Sequence, residues 1–224
     1  EANCIVISGK GDSFSAGIDI TMFMSDMNLN ENLSSTPQDR RELMDLVERM
    51  QGAFTTIAKS KIPTIALAHG FCIGGATSLV SACDIRLATK DAKFSIGETK
   101  LGLVADVGVI QRMPKIVSSG DMNELALTGR IFDGEHAERI RFVSKAYENP
   151  EELFEAGERL ANEISSNSKR IVQATKQALE KSSNLTVDQG LEYAKLWSTS
   201  FLISEDLREG VMAFLEKRDP KFNE

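Results

Sequence analysis

The stretch His69–Gly108, HGFCIGGATSLVSACDIRLATKDAKFSIGETKLGLVADVG, joins a glycine-rich strand-to-helix turn to a further strand and to two carboxylates, Glu98 and Asp106. An apolar run, PTIALA (Pro63–Ala68), leads into it, and DIRLA (Asp84–Ala88) follows the helix-like GGATSLVSAC. Strand, helix and strand in that order make a β-α-β unit, whose crossover demands parallel strands packed under helices, so the fold class is α/β. Glycines at Gly74-Gly75 allow close backbone approach, and a helix start offers N–H groups without intrahelical acceptors together with partial positive charge. The turn is either a packing turn or a place where developing negative charge is held.

Working outward to the N-terminal side, Cys4–Ser8 reads as a buried strand feeding a Gly/Ser loop, Gly9–Gly17, which is a candidate ligand cradle. SAGID (Ser15–Asp19) supplies a second glycine turn into a helix, and two N–H groups converging on one oxygen would make an oxyanion hole. Met22, Met24 and Met27 are either core or an adaptable lining for an acyl chain. Leu29–Ser35 has the composition of a mobile loop. Thr36-Pro37-Gln38-Asp39 then gives an N-cap, a proline at the first helical position and an acid in the first turn, predicting a long helix to Lys59. Its apolar face is set by Leu43, Leu46, Val47, Met50, Phe54 and Ile57.

On the C-terminal side the chain turns helical from Val107 through Met113 and again over Asp121–Leu127, with short strands expected at Gly129–Phe132 and Phe142-Val143. A boundary falls near Ala146 to Pro150. Beyond it come helices over Glu151–Ile164, Ser168–Glu180, Val187–Phe201 and Glu205–Lys217. The tail's large apolar side chains, among them Leu191, Leu196, Trp197 and Phe214, either fill its own core or face a partner subunit.

Composition narrows the function. The 224 residues are 42% hydrophobic, enough for a core plus an appendage. With 26 basic against 33 acidic residues, net charge −7, the balance argues against a broad nucleic-acid-binding surface and leaves room only for a local basic patch. No apolar run approaches the roughly 18 residues of a membrane span. Cys4, Cys72 and Cys83 have no metal-ligand spacing and form no disulfide framework, which fits a reducing compartment. His69 reads as a structural histidine at a strand end, and Ser78 lacks the G-x-S-x-G context of a serine hydrolase. Asp106, between Ala105 and Val107 and ahead of a helix, is either an N-cap or a proton carrier. A carboxylate in apolar surroundings has its neutral form favoured, which suits proton transfer near neutral pH.

FSAGIDI, HGFCIGGATSLVSACDIRLAT and FSIGETKLGLVADVGVIQRMPK resemble, in order and spacing, the enoyl-CoA hydratase/isomerase (crotonase) superfamily. ETKLGLVADVG, LALTGR and LEYAKLWSTSFLISEDL are most similar to its Δ3,5-Δ2,4-dienoyl-CoA isomerases, with Asp106 as the distinguishing residue. The resemblance implies a spiral of β-β-α turns over residues 1–146 and a helical oligomerisation region over 147–224, forming a homotrimer or homohexamer. It implies an acyl-CoA thioester substrate held without metal or redox cofactor. The Ile18 and Gly75 amides match the oxyanion-hole donors, and Ser15, Ala16, Gly17, Ile18 and Asp19 match the loop that holds CoA. Glu98 and Asp106 match the two proton-transfer residues.

Two departures stand out. Ser78 occupies a position that is aspartate in dienoyl isomerases and glutamate in hydratases, so a paired-glutamate hydration route lacks one group, while isomerisation through Glu98 and Asp106 remains open. An opening strand-and-helix unit expected before Cys4 is missing from the sequence, so the chain is either a fragment or needs a partner over a sheet edge. The competing readings are another enoyl-CoA isomerase or hydratase and a non-catalytic structural subunit of a larger assembly. The ending DPKFNE carries no peroxisomal tripeptide, which favours the mitochondrial matrix over the peroxisome.

Overall fold

The computed structural model describes residues 2–21 and 36–222. The Met22, Met24 and Met27 cluster and the polar stretch Leu29–Ser35 lie outside the described residues.

Strand β1 (Ile5–Ser8) precedes helix α1 (Pro37–Ala58), which starts as expected. Thr36 Oγ1 accepts from Asp39 N at 3.2 Å while Asp39 Oδ2 accepts from Thr36 N at 2.8 Å, a reciprocal cap. Then come β2 (Thr64–Ala68), β3 (Phe71–Ile73), α2 (Gly75–Ala82), β4 (Ile85–Thr89) and β5 (Lys93–Ser95). After a 3-10 turn over Gly97–Leu101 follow α3 (Val109–Arg112), α4 (Ser119–Thr128), β6 (Phe132–Asp133), α5 (Gly134–Arg139) and β7 (Lys145–Tyr147).

These strands form two sheets, β1-β2-β4-β7 and β3-β5-β6. β2 and β4 pair in parallel with Ile65 opposite Ile85, and β3 and β5 pair in parallel with Cys72 opposite Phe94. Successive strands therefore alternate between sheets: β2 to β3, then α2, then β4 to β5. That alternation is the β-β-α spiral. β2 is buried along its whole length, as a continuous apolar run between two neighbours should be.

The core next to the second sheet is aromatic. Phe94 stacks on Phe132 at 5.4 Å and meets Phe142 edge-on at 5.5 Å, contacts worth about 0.5–1.5 kcal/mol each beyond area burial. They fix β5, and with it the turn that follows. Phe142 and Val143 are buried but form no strand, contrary to expectation. Their amides bond back to Ala137 O at 2.8 and 3.2 Å, closing α5 in the manner of a helix C-cap, and the strand begins at Lys145. Helix α5 itself went unread; Asp133 caps it through His136 N at 2.8 Å.

By its contacts the chain forms two compact units. Val6–Lys59 with Thr64–Gly157 holds both sheets and the aromatic core. Glu1–Ile5, Ser60–Pro63 and Glu158–Glu224 make the other. Of the last four helices, α6 (Pro150–Ser165) runs across that division, and α7 (Lys169–Ser182), α8 (Val187–Phe201) and α9 (Glu205–Glu216) belong to the second unit. Within that unit Ser168 Oγ donates to buried Asp206 Oδ2 at 2.7 Å, tying the start of α7 to the first turn of α9. Trp197 stacks on Phe201 at 5.7 Å along α8. Among the described residues no helix is long and apolar enough to cross a membrane.

Candidate active site

The Gly/Ser loop is attached to β3 by main-chain bonds. Phe14 N donates to His69 O at 2.7 Å, Ser15 N to Phe71 O at 2.8 Å, and Ile73 N to Ser15 O at 3.1 Å, so Ser15 pairs with Cys72 as a parallel bridge. Two positions further along, Gly17 lies so close to Ile73 that a Cβ there would stand 2.8 Å from Ile73 O. Ile18 thereby reaches the neighbourhood of the Gly74-Gly75 turn. Ala16, Gly17, Ile18 and Asp19 are exposed, and Asp19 Oδ1 accepts from Thr21 N at 2.9 Å where the chain turns helical.

Gly74 is the N-cap of α2, at φ +57°, a conformation that side chains resist. Its own N–H is committed to Ser95 O at 2.9 Å. Gly75 opens the helix, and a first-turn amide has no acceptor within its own helix. Thr77 Oγ1, fully buried, lies 2.7 Å from Cys72 O and 3.0 Å from Ser95 O, which locks the helix start onto β3 and β5.

Glu98 follows β5 in the 3-10 turn Gly97–Leu101. That turn is fastened from behind, Thr99 Oγ1 donating to Ala126 O at 2.7 Å and Ser95 Oγ to Gly129 O at 3.1 Å. A Cβ on Gly74 would lie 3.4 Å from Glu98 Oε1, so the carboxylate stands directly beside the glycine turn. Its Oε2 is buried without a hydrogen-bond partner among the described residues. Burial raises the Glu98 pKa above the ordinary glutamate value and the charge of Asp106 adds to the rise, against a smaller opposing effect of its own backbone N–H. The two carboxylates are thus within electrostatic range of each other.

Asp106 caps no helix. Helix α3 starts at Val109 with Gly108 as its N-cap and no side-chain cap bond, so the N-cap alternative is removed. Asp106 is exposed between buried Ala105 and Val107. Among the described residues nothing hydrogen-bonds its carboxylate.

Ser78 lies one helical turn beyond Gly74, its N–H donating to Gly74 O at 3.1 Å. It is 0% exposed and its Oγ has no hydrogen-bond partner among the described residues. His69 matches its structural reading: Nε2 is 2.9 Å from Gly11 O and the ring meets Phe154 edge-on at 5.4 Å. Gln51 and Arg112, which no motif singles out, reach the backbone of the Asp106 turn. A pairing across 55 positions leaves no local pattern to read.

Together these parts offer amides beside a carboxylate that binds its proton more tightly than usual, and a second carboxylate beyond it. Such a site can hold a developing negative oxygen and move protons along a bound planar substrate.

The model of the family described as enoyl-CoA hydratase/isomerase matches residues 1–224. The mitochondrial Delta(3,5)-Delta(2,4)-dienoyl-CoA isomerase of Dictyostelium discoideum is 42% identical over 219 residues, 98% of this chain and 74% of that protein. The peroxisomal protein of the same name from Arabidopsis thaliana is 39% identical over 222 residues, 99% of this chain and 80% of that one. Among solved structures, a putative enoyl-CoA hydratase/isomerase family protein from Hyphomonas neptunium superposes with a TM-score of 0.84 at 32% identity, covering 99% of this chain and 80% of the other. The two-sheet spiral, the paired glycine turns and a match along the whole length agree: the chain belongs to the enoyl-CoA hydratase/isomerase (crotonase) family.

Proposed function

We propose that this protein isomerises 3,5-dienoyl-CoA thioesters to 2,4-dienoyl-CoA thioesters in the oxidation of unsaturated fatty acids. The observation that carries the reading is the half-buried Glu98 carboxylate beside the Gly74-Gly75 turn, with Asp106 within electrostatic range of it.

The thioester oxygen accepts from the Ile18 and Gly75 amides, and the Ser15–Asp19 loop holds the CoA portion. Held there, the substrate places C2, the carbon next to the carbonyl, nearest Glu98. The ionised Glu98 carboxylate takes a C2 proton. The C–H pair forms C2=C3, the C3=C4 pair moves to C4=C5, and the C5=C6 pair takes a proton at C6 from Asp106. Negative charge that gathers on the thioester oxygen along the way is held by the two amides. One proton is consumed and one delivered, so Glu98 ends protonated, Asp106 ionised, and exchange between the groups and solvent resets the pair. The electron sink is the thioester itself, so the chemistry runs without metal or redox cofactor.

Ser78 shapes the choice of reaction. Hydration needs a group to activate water opposite the acid, and a buried serine hydroxyl with no base beside it is a poor one. The exposed Leu191, Leu196, Phe214 and Leu215 of α8 and α9 are the surface by which the helical region, residues 147–224, makes a homotrimer or homohexamer. The mitochondrion is the compartment we assign, with the peroxisome as the second.

The reading is tested by adding a 3,5-dienoyl-CoA to the purified protein and following absorbance. Conjugation of the new diene with the thioester carbonyl moves the band to longer wavelength at a rate proportional to protein. A flat trace with saturable binding sinks the isomerase reading and favours a non-catalytic subunit.

A further inference from the structure

The backbone that carries Asp106 is irregular from Leu103 to Gly108, and its carboxylate has no protein partner among the described residues to aim it. Whatever fixes the reach of Asp106 must act on the main chain. Two side chains do so at consecutive carbonyls. Gln51 Nε2 donates to Asp106 O at 2.7 Å, and Arg112 Nη1 donates to Val107 O at 3.3 Å. Arg112 is itself braced, Nη2 donating to Thr55 Oγ1 at 3.0 Å. Gln51 and Thr55 stand one turn apart on α1, so a single helix face addresses the turn twice.

The turn is shaped for this arrangement. Gly108 sits at φ +119°, and a Cβ there would run into the Arg112 guanidinium. Among the described residues no carboxylate pairs with Arg112; its donors go to a main-chain carbonyl and a hydroxyl instead. At the other end of the segment Leu103 N donates to Glu98 O at 3.0 Å. The span between Glu98 and Asp106 is therefore pinned at one end to the residue that works on C2 and at the other to α1.

Resting on the isomerase reading above, we propose that Gln51 and Arg112 are positioning residues that set the distance between the two proton-transfer groups. They act on delivery of the proton at C6 and leave binding and removal of the C2 proton untouched. Neither touches substrate. The consequence is a separation of two measurable events: exchange of the C2 proton with solvent needs Glu98 and the amides alone, whereas turnover also needs Asp106 in reach.

The experiment uses the full chain and a 3,5-dienoyl-CoA in deuterated water, reading product by absorbance and deuterium at C2 of recovered substrate by mass. Gln51→Leu lowers kcat about tenfold, since a displacement of about 1 Å can cost up to a hundredfold, with KM and the C2 exchange rate within about twofold of wild type. Gln51→Lys, which restores an N–H donor of similar reach, recovers most of the rate. Arg112→Gln gives the same split between exchange and turnover. Wild-type turnover in Gln51→Leu, exchange falling in step with turnover, or failure of Gln51→Lys to rescue each overturns the positioning role. A wild-type protein that neither exchanges nor isomerises overturns the isomerase reading as well, and so separates the two failures.

Discussion

The two ends of the site are built differently. At the thioester end, Ser15, Ile73, Gly74 and Ser95 are joined by main-chain bonds, backed by buried Thr77 and the Phe94 cluster. At the far end, Asp106 is held by the side chain of Gln51, from a helix with no buried residue, and Val107 by that of Arg112. Main-chain bonds survive most substitutions, whereas a side-chain bond is lost with one. The thioester end is the fixed part of the chemistry and the far end is the adjustable part, where double-bond position can be selected.

The largest test of that contrast removes the base. Glu98→Gln should cut turnover by about 10³-fold and abolish deuterium incorporation at C2 as well, because nothing else near the glycine turn can take that proton. Asp106→Asn should cut turnover by about 10²-fold yet leave C2 exchange near wild type. If both variants lose exchange equally, the two ends are not separable and the contrast fails.

The pH dependence sharpens the same point. The pair must carry one proton, with Glu98 ionised at the start, so kcat/KM should fall as pH climbs through the raised Glu98 pKa, where the pair gives up its last proton. Placing a carboxylate one helical turn from Gly74, in Ser78→Asp, should move that fall upward by about one unit through like-charge repulsion. A profile identical to wild type would mean that position 78 does not face Glu98.

The smallest effect is on stability. Glu98 binds its proton more tightly folded than unfolded, so its favourable contribution is complete below the ordinary glutamate pKa and is lost as pH rises through the raised value. Above that raised value the ionised group opposes folding. Glu98→Gln should therefore raise Tm by roughly 2 °C at pH 7 and by nothing near pH 4, a difference calorimetry can read.

Much of the thioester end was legible in the sequence because its signals are local. PTIALA, the Gly74-Gly75 turn and SAGID each announce their element through composition alone, and the Thr36-Pro37-Asp39 start of α1 does the same. The pairing of Ser15 with Cys72 was not local and stood only as a guess about convergence. Asp106 was legible as a candidate, but its freedom from capping depended on where α3 begins, a matter of the backbone at Gly108. Phe142-Val143 misled for a related reason. Apolar, β-branched and aromatic residues announce burial, and here burial serves a helix terminus instead of a strand.

The spacing of these contacts along the chain has a consequence for synthesis. The cradle at Ser15 is made early, its partner strand at Cys72 well after it, and the clamp on Asp106 closes only when Arg112 has left the ribosome. The two sheets still wait for β6 and β7. A product ending before Asp106 would carry both amides and Glu98 without the far carboxylate, and without the strands that complete the two sheets. Translation order thus supplies the thioester end of the site before the residues that clamp the far end.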